Sequence, residues 1–267
     1  MRFENTKVMN FEGAFRGLRN PLNSWDKSDS QFGIAPKDQA ISIAGTMAAD
    51  MFLSEKEKVD EAMDYCDKIV KNGIQLFNNI DADCYEYNLL GLADLDLAHR
   101  MIKASSSERK FLRQIFVSVD ITAPLYWLKE FDTYKVGTVA NSTSTMHKLA
   151  TTPITLSCFE TDDMDMEWYS ETGIGATTDI WIQDIIHYCE TLRLEYLETK
   201  DIRYWKELIR WLPESWLQTR TWTANYEILR NIYKQRRNHK LSEWHTFCNW
   251  ITCLPYAEDL ILYDLYN

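Results

Sequence analysis

The segment Leu212–Trp244, LPESWLQTRTWTANYEILRNIYKQRRNHKLSEW, constrains this chain more than any other. It sets Asn225, Arg230, Asn231, Arg236, Arg237 and Lys240 on what reads as a single helix beginning at Ala224. At 3.6 residues per turn, Asn225, Leu229, Ile232, Arg236 and Lys240 fall near one face, with Asn231 beside it. An amide donates and accepts at once, and a guanidinium keeps its charge and forks onto phosphate or paired carbonyls. A wholly solvated face would not keep Leu229 and Ile232 between its polar members. Amides and fixed cations in this density suit an anionic, planar ligand.

The formal net charge of the whole chain is −11. Such a surface repels nucleic-acid polymer, so a small phosphorylated ligand in a local cationic pocket is the expectation. At 267 residues the chain reads as a single domain spanning 1–267, long enough for a sizeable core. Ten Trp and fourteen Tyr suit core packing first and stacking on a planar ligand second. Six cysteines, Cys66, Cys84, Cys158, Cys189, Cys248 and Cys253, form no C-x-x-C pair, which speaks against a zinc ribbon. The amino terminus lacks an apolar signal core, and no apolar run is long enough for a bilayer. A cytoplasmic protein with reduced thiols and no membrane partner is expected.

Periodicity predicts helices over Ser54–Gly73, capped by Ser54, and over Leu89–Lys103, Thr178–Thr199, Ile202–Trp211, Ala224–His239 and Ser242–Cys253. Leu112–Ile121 reads as a strand with Ile115, Val117 and Val119 on one side, and Pro124 opens a short helix through Phe131. Asn20–Gln39, Val136–Thr152 and Phe159–Thr178 read as loops. The class is α+β, with helix in excess of strand. His99, His147, His187 and His245 are dispersed, so no metal site is expected; Gly173-Ile174-Gly175 lacks the setting of a dinucleotide fingerprint.

Within the first segment stand Leu212-Pro213, Trp222-Thr223-Ala224-Asn225, Leu229-Arg230-Asn231, Arg236 and Leu241-Ser242-Glu243-Trp244. This run resembles the nucleotide- and flavin-binding segment of flavin-dependent thymidylate synthases, which reads LP, then W-T-x-N, x-x-x-L-x-N-aromatic-x-x-x-R and an A-Q-W-E-like stretch. Ile232 replaces the aromatic, with Tyr233 beside it, and Lys240 replaces a histidine, with His239 beside it. Where the family has an arginine before the proline stands Ile209, with Arg210 one residue later. Ala14–Arg19, AFRGLR, matches an early A-x-R-x-x-R run. The family signature R-H-R-x-x-S-x-N-E-x-S follows a strand ending in A-P. Counted without gaps from Pro124, its R-H-R falls on Thr133, Tyr134 and Lys135. Its serines fall on Thr138 and Thr143, its Asn-Glu pair on Ala140 and Asn141, and the glutamine before it on Glu130.

The resemblance implies a helix-rich fold with a central antiparallel sheet, bound FAD, and NADPH and methylenetetrahydrofolate as co-substrates. It also implies a homotetramer with active sites at subunit interfaces. The reaction would convert deoxyuridylate, or a related pyrimidine deoxynucleotide, with hydride from reduced flavin. By position, Arg236 is the catalytic residue. Lys135, Thr138, Asn141, Ser142, Thr143 and Arg210 hold the nucleotide. Asn225, Asn231, His239, Lys240, Glu130 and Tyr134 contact the flavin. The altered signature fits a divergent, phage-encoded member. The competing reading is a non-catalytic protein that binds nucleotide, flavin or a protein partner on the same scaffold.

Overall fold

A computed structural model describes residues 1–52, 58–76, 84–146, 148–169 and 176–265. The proposed cap Ser54, His147 and the Gly173-Ile174-Gly175 run lie outside the described residues. In chain order the elements are β1 (Arg2–Met9), α1 (Phe11–Arg19), β2 (Gln31–Pro36), α2 (Lys37–Phe52), α3 (Val59–Gly73), β3 (Ile74–Leu76), β4 (Cys84–Leu89), α4 (Leu92–Ala104), β5 (Phe116–Pro124), α5 (Leu125–Phe131), β6 (Val139–Ser142), α6 (Thr178–Thr199), α7 (Ile202–Trp211), β7 (Leu217–Asn225), α8 (Tyr226–Arg236) and α9 (Ser242–Thr252). This is the expected α+β class, and among the described residues no helix is long and apolar enough to cross a membrane.

The helices at Thr178–Thr199 and Ile202–Trp211 fall where periodicity puts them, and α5 follows Pro124 as expected. Ile115, Val117 and Val119 are all buried, as their alternation predicts, but the strand itself starts at Phe116 because Arg109–Gln114 coils into a 3-10 turn. Three readings are corrected. Asn20–Gln39 is not all loop: Gln31–Pro36 is β2, held by antiparallel pairing with β4. Val136–Thr152 contains β6, paired antiparallel with β7 through Val139↔Thr223 to Ser142↔Arg220. The helix from Ala224 is shorter than expected, since Leu217–Asn225 is a strand and α8 ends at Arg236. In the first two cases a partner strand distant in sequence satisfies backbone groups that local propensity left open.

The chain divides into two compact units, Met1–Thr6 with Ser118–Thr223, and Lys7–Val117 with Ala224–Asn267. The first carries the sheet of order β1-β5-β7-β6. Its helical part packs Ile182, Ile186, Cys189 and Leu192 of α6 against Leu208 of α7, with Leu149, Ile154 and Phe159. Fully buried Trp127 stacks on Phe131 at 4.6 Å, and Phe131 meets Trp222 at 4.9 Å.

The second unit carries the sheet β2-β4-β3. Its core centres on Phe11, whose ring meets Tyr226 and Tyr256 edge-on at 5.9 and 5.8 Å. A buried polar knot ties α1 to α4. Asp94 accepts from Arg19 Nε, Ser28 Oγ and Ser30 Oγ, each at 2.6 Å. Asp29 in turn accepts the backbone N–H groups of Ala93 and Asp94 at the start of α4. Arg19, one of the two arginines of the A-x-R-x-x-R run, is thus a structural residue with an exposure of 5 %.

Asp94→Ala should leave Arg19 as a buried, uncompensated charge and lower the stability by about 3–5 kcal/mol, read from urea unfolding. All six cysteines are free, and burial pushes the thiols of Cys189 and Cys248 each up to about 11. In the native protein at pH 8, Ellman's reagent should therefore titrate the exposed Cys253 well before Cys189 and Cys248, and denaturant should abolish the difference.

Candidate functional site

Eight of the residues singled out by the sequence lie in the first unit. The end of α5 and the turn after it bring Phe131, Asp132, Tyr134, Lys135 and Thr138 around a cavity of about 270 Å³, closed by Ala140 of β6 and Trp222 of β7. Gly137, at φ 75°, takes the left-handed conformation that lets this turn double back. The ungapped reading from Pro124 thus places Tyr134, Lys135 and Thr138 at one cavity. Thr138 Oγ1 donates to the Tyr134 carbonyl at 2.6 Å.

The remaining five lie elsewhere in that unit. Asn141 and Ser142 are exposed on β6, opposite Thr221 and Arg220. Thr143 extends the pairing: its N–H donates to the Thr219 carbonyl at 2.9 Å, and its own carbonyl accepts from Gln218 Nε2 at 2.8 Å. Arg210 is exposed in the last turn of α7 and is not among the residues lining the cavity, nor is Glu130, in α5, whose carbonyl accepts from Thr133.

Sequence reasoning missed Arg220. It lies two residues before the cavity-lining Trp222 on β7, so both point to the same side of the strand. Its Nη1 donates to Asp132 Oδ1 at 2.6 Å, with the guanidinium nearly buried. Arg220 neutralises the carboxylate at the cavity lip. Lys135, which forms no ion pair among the described residues, is left as the excess positive charge. The missed signal was the alternation Gln218-x-Arg220-x-Trp222-x-Ala224, with β-prone threonines between.

The other five residues belong to the second unit. Asn225 is not a helical residue but the cap of α8, its Oδ1 accepting the Ile228 N–H at 3.1 Å. Leu229 and Ile232 are fully buried, which is why the middle of the supposed ligand face is apolar. Asn231 is exposed, and its Oδ1 accepts from Gln235. At the end of α8 the Arg236 guanidinium lies 4.7 Å from the centroid of the fully buried Trp244 ring, within reach of a cation–π attraction. His239 and Lys240 are not on the helix; they sit in the turn to α9, where His239 Nδ1 accepts the Leu241 N–H. Arg230 and Arg237 bind the chain end instead: Arg230 Nη1 donates to the carbonyls of Ile261 and Tyr263, and Arg237 Nη1 to that of Leu265. Burial, and then the neighbouring Arg109, push the Arg230 pKa below its ordinary value.

The two regions offer different chemistry. Around Lys135 a cation, a hydroxyl and aromatic walls suit a phosphorylated group of modest size. Around Arg236 a guanidinium over a tryptophan ring, an exposed amide and an imidazole suit the carbonyl and N–H edge of a planar ring.

The fold is that of the flavin-dependent thymidylate synthases. A crystal structure of such an enzyme, ThyX from Helicobacter pylori, complexed with FAD and dUMP, aligns over 99 % of this chain and 98 % of its own, with a TM-score of 0.56 and 14 % identity. A second structure of the same enzyme with FAD and dUMP aligns over 99 % of both chains, with a TM-score of 0.57 and 13 % identity. No family model matches the sequence, and no curated protein does.

Because Asn225 caps α8, Asn225→Ala should cost about 1 kcal/mol in urea unfolding. Asn225→Asp should restore most of it, since a carboxylate accepts the same N–H and favours the helix N-terminus.

Proposed function

We propose that this protein binds FAD and a pyrimidine deoxynucleotide and acts as a flavin-dependent thymidylate synthase-like enzyme, on dUMP or a closely related nucleotide. Support comes from the agreement of two independent likenesses. The Trp222–Trp244 run resembles the flavin- and nucleotide-binding segment of one family, and the fold aligns end to end with solved structures of that family. The cavity at Lys135 supplies the local charge that this reading needs on a chain of net charge −11.

In this reading Lys135 meets the phosphate, worth roughly 1.5–3 kcal/mol as a charge-assisted bond. Thr138 turns its O–H from the Tyr134 carbonyl to a phosphate oxygen. Asn141, Ser142, Thr143 and Arg210 serve the same nucleotide from the surfaces they occupy. Arg236, seated over the Trp244 ring, stabilises negative charge on a ring carbonyl. Asn231, His239 and Lys240 orient the flavin, with Asn225, Glu130 and Tyr134 as further contacts. Reduced flavin supplies the hydride, NADPH the electrons and methylenetetrahydrofolate the carbon. The reading extends to a homotetramer in the cytoplasm, encoded by a phage, with residues 1–267 working as one domain. The signature position has lost two of its three basic groups to Thr133 and Tyr134. That loss favours the second reading, binding without turnover.

Purified protein should retain a flavin spectrum through gel filtration after addition of FAD. A colourless protein with no thermal shift from FAD would end the enzyme reading. Arg236→Ala should reduce affinity for flavin or dUMP about tenfold while leaving the fold intact, and Lys135→Ala should weaken dUMP binding by a similar factor. Unaltered affinities would remove those residues from the site. Oxidation of NADPH dependent on added dUMP separates the enzyme from the non-catalytic binder.

A further inference from the structure

We propose a second ligand site in the unit formed by Lys7–Val117 and Ala224–Asn267, for a planar ring that carries a paired N–H edge and an anionic substituent, the chemistry of a guanine nucleotide. It lies between the start of α1 and the β2–β4 ladder, in a cavity of about 540 Å³. That volume falls in the range of small-molecule sites.

The register of the ladder builds the wall. Phe32 pairs with Asn88, and Ile34 with Glu86. Directly opposed residues share a face, and residues two apart along a strand share it too, so all four side chains project to one side. The result is an aromatic ring and an aliphatic chain beside a carboxylate and an amide. Ile34 is 56 % exposed, an apolar side chain kept in solvent at the cavity rim. Asn88 is 3 % exposed, and its Nδ2 donates to Glu86 Oε1 at 3.3 Å. Among the described residues neither side chain makes another hydrogen bond. The second Glu86 oxygen and Asn88 Oδ1 are therefore acceptors without donors, and a ring edge with two adjacent N–H groups satisfies them.

On the opposite wall Phe11 and Arg16 come from α1. Arg16 is exposed, with its guanidinium 5.9 Å from the Trp25 ring centroid. It forms no ion pair among the described residues, not even with Glu12 one turn earlier. An acceptor pair on one wall, a free cation on the other and apolar surface between them define the ligand: donors at one end, negative charge at the other. This site is separate from the residues of the proposed flavin enzyme and does not depend on that reading.

Isothermal titration of the full chain with GMP, IMP and AMP tests it. GMP should bind saturably. IMP, which lacks the exocyclic amino group, should bind more weakly. AMP, which presents an acceptor where GMP presents its ring N–H, should bind least. Glu86→Gln should weaken GMP at least tenfold and shrink its margin over AMP, while Arg16→Gln, on the exposed rim, should weaken all three nucleotides. Thermal unfolding of both variants reports whether they fold. No saturable GMP binding, equal affinity for AMP, or GMP affinity unchanged in both folded variants would overturn the proposal.

Discussion

The backbone changes period at Asn225, and the placement of the late cationic segment depends on that change. Up to Asn225 the chain is extended, and alternate residues of β7 share a side. From Tyr226 it is helical, and residues three and four apart share one. The Asn225 side chain makes the switch possible by accepting the Ile228 N–H, which the first turn of α8 would otherwise leave open. A helix begun three residues earlier would rotate every later side chain by most of a turn. Leu229 and Ile232 would leave the core, and Arg236 would lose the Trp244 ring.

The basic groups of this chain divide between structure and chemistry according to burial. Arg19, Arg193 and Arg230 are nearly buried, and each is held by a carboxylate or by backbone carbonyls, although Arg19 Nη2 keeps no partner among the described residues. Such residues fix geometry at a high desolvation cost and are poorly placed to meet a ligand. Lys135, Arg16 and Arg236 keep access to solvent or to a ring face, and they stand beside cavities or at a helix end. A motif that counts arginines cannot separate the two groups. The A-x-R-x-x-R run contains one of each, Arg16 at a cavity and Arg19 in a buried ion pair.

Legibility from sequence followed the range of the interactions. Helices α6 and α7 were readable to the residue from local signals: an apolar stripe marks α6, and Asp201 caps α7 by accepting the Arg203 N–H. The strands were less readable. β5 was found because Ile115, Val117 and Val119 alternate into the core. β2, β4 and β6 were missed because their side chains do not announce burial, and pairing with distant strands is what holds them. The grouping of Tyr134, Lys135 and Thr138 was recoverable by counting from Pro124, while the contribution of Arg220 was not, since it needs β7 to lie beside β6.

Legible in the residues alone were the α+β class, the positions of α4, α6, α7 and α9, though not that of α2, and the concentration of amides and fixed cations near the end of the chain. These follow from periodicity and residue chemistry, which act within a few turns of backbone. Tertiary structure alone decided that Asn225 is a cap, that Arg230 and Arg237 hold the chain end, and that Glu86 and Asn88 stand beside Phe32 and Ile34. Those outcomes rest on hydrogen bonds and strand registers between residues far apart in the chain, and no local pattern encodes which distant partner will satisfy a buried polar group.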